Sequence, residues 1–211
     1  MLIEDGVLKK AHSYDLQEKG DELIIEIPDS VTSIGPSAFQ SMKITSIIIP
    51  SNVTKIGEKA FSNCEELKSI IIPEGVTSIE SNTFKNCRNL VSVTLPKSLR
   101  SIEVGAFNRC CSLINIAIPS GVTKIGCSAF SYCSSLTSII IPSGVTKIES
   151  YVFENCWRLT SITIPDCIIS IGPSAFYNCS RLTSIVIPPM TSVGYRAFYG
   201  CKSLNFSFPV M

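Results

Sequence analysis

The chain has one histidine, His12, in 211 residues. A Ser-His-Asp or Cys-His catalyst would have to be built around that residue, and a zinc site would have to do without a second imidazole. No Cys-x-x-Cys pair occurs, and the glycines are spread out rather than gathered into a phosphate-binding loop. The adjacent carboxylates Glu4/Asp5, Asp21/Glu22 and Glu65/Glu66 read as solvated charge, not as acid–base pairs. No catalytic residue, cofactor site or metal site is expected, and the chain is not expected to be an enzyme. Charge is scarce too: 17% of residues are charged and the net charge is +1, against about 25% charged in an ordinary domain. The basic residues are scattered singly (Lys55, Arg100, Lys124, Lys147), so bulk nucleic-acid binding is not expected. No apolar run approaches the ~18 residues of a membrane span, so no membrane insertion is expected. The start, Met1-Leu2-Ile3-Glu4-Asp5, shows no signal peptide.

What the chain has in abundance is repetition. Ile/Leu-Pro recurs at Ile27-Pro28, Ile49-Pro50, Ile72-Pro73, Leu95-Pro96, Ile118-Pro119, Ile141-Pro142, Ile164-Pro165 and Ile187-Pro188. Phe39, Phe61, Phe84, Phe107, Phe130, Phe153, Phe176 and Phe198 keep the same step. So do Cys64, Cys87, Cys110, Cys133, Cys156, Cys179 and Cys201, each three residues after its Phe. Three markers sharing a period of about 23 residues predict a solenoid of about eight coils. Each coil can bury its apolar side only against its neighbours, so one repeat domain over 22–211 is expected, with 1–21 as an irregular N-terminal cap.

Within the unit, Leu-Thr-Ser-Ile-x-Ile is β-branched and stops at Pro, which predicts a short strand. Stacked copies make a parallel sheet with a coil spacing of about 4.8 Å. Pro-x-Gly turns the chain, and Val-Thr-x-Ile gives a second, shorter extended segment. The next position holds Gly in some coils and Glu80, Glu103 or Glu149 in others. A site that accepts Glu cannot require φ > 0. Ala-Phe-x-x-Cys predicts one short helical or 3-10 turn with Phe as the inward wedge.

Ile-Pro-x-x-Val-Thr-x-Ile-Gly-x-x-Ala-Phe-x-x-Cys-x-x-Leu-x-x-Ile resembles the BspA-like leucine-rich repeats, the subclass typified by Treponema pallidum, over about residues 22–209. The resemblance implies a mainly β leucine-rich repeat solenoid with a parallel sheet on its concave face. It also implies a cell-surface or secreted protein of the adhesin type, binding host or cell-surface proteins. The alternative is a cytosolic or non-classically exported scaffold using the same repeat surface, which applies if Met1 is the true start.

The seven periodic cysteines read as a buried ladder of thiols touching backbone carbonyls. In-register parallel Cβ vectors suit a disulfide poorly. The off-pattern Cys111, Cys127 and Cys167 are the expected reactive thiols. Trp157 reads as a half-packed turn residue, with a ligand-stacking platform as the other reading. The last segment, Asn205 to Met211, reads as an uncovered strand, an edge open to self-association. On the long strand, the second, third and fifth residues face away from the core. That face carries one charge, Lys68, hydroxyl ladders, and an apolar stripe through Ile48, Ile71, Ile140 and Val186, with Thr163 in the same column. Such ladders arise from cross-strand packing alone, or they form a docking face for an unidentified protein ligand. Val91, Ile114 and Asn115 depart most from the ladder and are the expected specificity residues.

Overall fold

The computed structural model describes residues 1–20 and 22–205. It is a β-solenoid of about eight coils, and each coil has three sides. On the first, the long strands pair parallel and in register, as in Ser69↔Ser92 to Ile71↔Thr94 and Ser138↔Ser161 to Ile140↔Thr163. On the second, the Val-Thr-x-Ile segments form two-residue strands, such as Ser101–Ile102 between Ser78–Ile79 and Lys124–Ile125. The corner between these sides is a turn in which the Val N–H donates to the Pro carbonyl three residues earlier, as Val145 does to Pro142 at 3.0 Å.

Of the helical or 3-10 turn expected on the third side, the bonding is of the 3-10 type, such as Cys64 N to Phe61 O at 3.1 Å and Ser62 N to Lys59 O at 2.9 Å, without a continuous helix. Two left-handed residues per coil stop these turns from merging into a helix: Lys59 (φ 57°) and Asn63 (φ 60°) in one coil, Ser128 (φ 55°) and Tyr132 (φ 60°) in another. A non-glycine residue in that region costs roughly 1–2 kcal/mol. The gain is a third inter-coil ladder, because the turned N–H groups point along the solenoid axis. Lys59, Phe61 and Asn63 donate to the carbonyls of Ser81, Thr83 and Lys85 at 3.0, 2.9 and 2.7 Å. Asparagine, the residue most tolerant of this conformation after glycine, fills the second site in Asn63, Asn86, Asn155 and Asn178. At the Gly/Glu position none of the glycines has positive φ, as expected. Gly126 instead lies so close to the coil before it that an added Cβ would fall 2.7 Å from the Val104 nitrogen.

The core is a column of stacked side chains. The periodic phenylalanines from Phe39 to Phe198 stack face to face with ring centroids 5.1 to 5.8 Å apart. Each periodic cysteine donates its thiol to the carbonyl of the preceding coil's Phe, as Cys87 does to Phe61 at 3.1 Å and Cys133 to Phe107 at 3.2 Å. Ahead of the first repeat, β1 (Leu2–Glu4) and β2 (Val7–Lys10) form an antiparallel hairpin. β2 pairs parallel with Ser33–Ile34. β3 (Gln17–Lys19) pairs antiparallel with β4 (Glu22–Glu26), which continues onto the long-strand side through Ser46–Ile48. The segment thus carries strands onto both sheet sides, with Leu8 buried in the core. At the other end, the strand expected over Asn205–Met211 falls outside the described residues after Asn205.

Candidate functional site

The outward residues of the long-strand side make one face. Ile48, Ile71, Ile140 and Val186 are 60%, 70%, 68% and 64% exposed. Val91 and Ile114 are about half exposed, and Lys68, Asn115 and Thr163 are exposed as well. The alternation follows from the strand's period of two. In each coil the fourth strand residue (Ile70, Val93, Ile116, Ile139, Ile162) is buried while its neighbours on either side are open. The threonines of the second position are tied down, Thr160 and Thr183 donating to the carbonyls of Thr137 and Thr160 at 3.0 and 3.1 Å. They build the sheet, so the apolar fifth column is what remains to be offered to a partner.

That column is not uniform. Ile48 and Ile71 lead to Thr94 and Ala117, then the stripe rises again to Ile140. At the dip the sheet itself opens. Among the described residues, the backbone N–H groups from Asn115 to Ile118 make no backbone hydrogen bond to either neighbouring coil. The expectation of a paired strand in every coil fails here. Asn115 and Ala117, both poor strand formers, stand where neighbouring coils have Ser and mostly β-branched residues. Between this coil and the next lies an open groove of about 340 Å³, floored by Ile116 and Ile139 and walled by Asn115, Ala117, Ile118 and Ile140. A second opening of about 270 Å³ separates Ile47–Ile49 from Ile71 and Pro73. It too sits where adjacent long strands are unpaired. Asn115 was legible in the sequence as a departure from the serine column. The groove was not, since it depends on strand separation.

The thiols divide as their positions do. Burial pushes Cys64 up to about 12, and drives Cys87, Cys110 and Cys133 well above the ordinary thiol range. Cys111, Cys127 and Cys167 are partly exposed. Cys201, in the last coil, is partly exposed as well, and its neighbour Cys179 holds its thiol below the ordinary value. The sequence pattern placed it with the buried set and missed this. All ten cysteines are free, and no group of three or more potential metal ligands occurs among the described residues. His12 lies beside Asp15, Nδ1 to Oδ2 at 3.9 Å, in the N-terminal segment far from the long-strand groove. No helix among the described residues is long and apolar enough to cross a membrane.

Comparison with known proteins agrees with this architecture. The profile of the BspA type leucine rich repeat region matches six copies over residues 22–120 and 101–210. A leucine-rich repeat protein from Bacteroides ovatus is 33% identical with a TM-score of 0.65, covering 89% of this chain and 63% of its own. The chain thus spans under two thirds of that relative. The leucine-rich repeat protein of T. pallidum is 28% identical with a TM-score of 0.70, covering 93% and 91% of the two chains. The pneumococcal vaccine antigen PcpA shares the fold at 21% identity and a TM-score of 0.54, over 89% of this chain and 63% of its own. A search among curated protein sequences gives no match. With the repeat profile spanning nearly every coil and the stacked Phe and Cys columns accounting for its fixed positions, the chain belongs to the BspA type leucine-rich repeat family.

Proposed function

We propose that this chain is a non-enzymatic protein-interaction module, displayed at a cell surface or secreted, that binds a host or cell-surface protein through its long-strand face. The observation that carries this reading is the exposed isoleucine column on a face with few charges, Glu26 and Lys68, interrupted by the groove at Asn115–Ile118. Exposed apolar ground flanked by hydroxyls favours a protein partner. An apolar side chain seated over Ile116 and Ile139, with its backbone meeting the unpaired amides beside it, would give the interface a central anchor. Family membership supports the adhesin setting. Val91, Ile114 and Asn115 supply specificity in this reading, because they distinguish this part of the face from the repetitive coils around it.

The test is a binding screen of the purified chain against matrix and cell-surface proteins, followed by Ile114→Asp and Ile140→Asp on any partner found. Ile140→Asp puts a carboxylate into the apolar column and Ile114→Asp puts one beside Asn115 on the same face, and the pair should weaken binding at least about tenfold, ~1.4 kcal/mol, with the circular dichroism spectrum unchanged. Undiminished binding by the folded double variant would move the site off this face.

A further inference from the structure

The last coils carry a second surface of different chemistry. After Asp166 the sequence contains no aspartate or glutamate, while Arg181, Arg196 and Lys202 are added to Arg158 just before it. Three cations of the earlier coils sit beside carboxylates, Lys59 with Glu58 at 2.8 Å, Arg88 with Glu65 at 3.6 Å and Lys124 with Glu103 at 2.6 Å, and the others stand in coils that also carry acidic residues. Among the described residues, Arg158, Arg181, Arg196 and Lys202 have no such partner. Arg196 is held by aromatic rings instead, with its guanidinium carbon 5.1 Å from the Tyr195 centroid and 5.3 Å from that of Tyr199. Tyr199 stacks in turn on Tyr177 at 5.3 Å. Such cation–π contacts fix the plane of the guanidinium without neutralising it.

We propose that this outer surface, from Tyr195 through Lys202 and down through Arg181 and Arg158, binds an acidic polysaccharide, a chain of sugars bearing sulfate or carboxylate groups. The partner class follows from what the surface offers and what it does not. Unpaired cations recur at one-coil steps, which suits a polyanion lying along the solenoid axis. Tyrosine hydroxyls and the polar side chains of Asn178 and Ser180 lie among them, and these groups match sugar hydroxyls. Clustered arginines also take acidic peptides, and the oligoglutamate titration below separates that partner from a sugar chain. Single-stranded nucleic acid needs successive open aromatic faces. Here Tyr199 stacks on Tyr177 and meets the Arg196 guanidinium, while Trp157, about half exposed, offers an open ring for a pyranose face.

The experiment is titration calorimetry of the full chain with a defined sulfated oligosaccharide. Parallel titrations use an oligothymidylate and an oligoglutamate of similar charge. Binding should be seen for the oligosaccharide and should weaken as salt rises from about 50 mM to about 300 mM. Arg181→Ser with Arg196→Ser and Lys202→Ser should reduce affinity at least about tenfold. The control pair Lys55→Ser and Lys147→Ser, elsewhere on the solenoid, should leave it unchanged. Arg181→Ser alone, at an exposed position, keeps the test decisive if the triple variant misfolds, since it should still weaken binding measurably. The proposal is overturned if no oligosaccharide binding is measured, if the oligothymidylate or oligoglutamate binds as tightly, or if the control pair weakens binding as much as the triple variant.

Discussion

Replacing Phe107 with alanine tests the stacked core directly. The ring is fully buried and lies 5.4 Å from Phe84 on one side and 5.4 Å from Phe130 on the other. Truncating a buried Phe costs about 3–5 kcal/mol, and each stacked aromatic pair accounts for about 0.5–1.5 kcal/mol of such a loss. With two pairs broken, Phe107→Ala should fall in the upper half of that range, about 4 kcal/mol. The energy should also be local. A double-mutant cycle between Phe84 and Phe107, in adjacent coils, should give a coupling of about 0.5–1.5 kcal/mol, while Phe84 and Phe153, three coils apart, should be additive within about 0.5 kcal/mol. Urea unfolding followed by far-UV circular dichroism supplies the free energies. Trp157 fluorescence reports on its own coil, because the chain has one tryptophan. In a solenoid held by nearest-neighbour contacts, loss of a central coil's wedge can uncouple the two halves. The fluorescence and dichroism transitions of Phe107→Ala should then separate. A cost below about 1 kcal/mol, or a distant pair coupled as strongly as the adjacent one, would refute the stacked-spine account.

Three further outcomes follow from named contacts. Maleimide labelling of the native chain near pH 8 should modify Cys111, Cys127, Cys167 and Cys201 quickly, and Cys64, Cys87, Cys110, Cys133, Cys156 and Cys179 only after denaturant is added. The thiolate is the reactive form; desolvation holds Cys64, Cys87, Cys110, Cys133 and Cys156 protonated, Cys64 up to about 12, and the neighbouring Cys201 together with burial does so for Cys179. Rapid native labelling of Cys110, read by mass spectrometry, would contradict this. Asn155→Ala should cost about 2 kcal/mol in thermal or urea unfolding: the position is left-handed, and its Oδ1 accepts from Asn178 at 3.1 Å and Trp157 at 3.4 Å. Asn155→Gly, which restores the conformation but not the hydrogen bonds, should recover part of that loss. Lys124→Met, which removes the exposed pair with Glu103, should change stability by less than about 1 kcal/mol, and a larger change in the same assay would show that the pair is more than a surface contact.

The period of Ile-Pro, Phe and Cys was enough to infer the coils, the buried spine and the outward face, because in a stacked architecture each constraint is written many times over. Phe107 and Cys110 are buried for the same reason as Phe84 and Cys87, and the sequence states that reason in every coil. What escaped sequence reading depends on how one coil sits on the next. Ala-Phe-x-x-Cys spacing pointed to a short helical or 3-10 turn on the third side, but not to the ladder between coils. The left-handed residues that straighten the turn into a ladder are chemically mixed, with Lys59, Ser128, Tyr151 and Arg196 sharing one column. Only the asparagine column carried a hint. The groove at Asn115–Ile118 is a separation between backbones; Asn115 and Ala117 mark its place in the sequence but not its opening. The cluster around Arg196 went unremarked because its members, Tyr177, Tyr195 and Tyr199, come from two coils and are brought together only by stacking. In a repeat protein the shared positions build the scaffold, so the surface that distinguishes this chain is found where a column changes residue type: at Asn115 and Ala117 on the long-strand side, and at Tyr199 and Arg196 on the third.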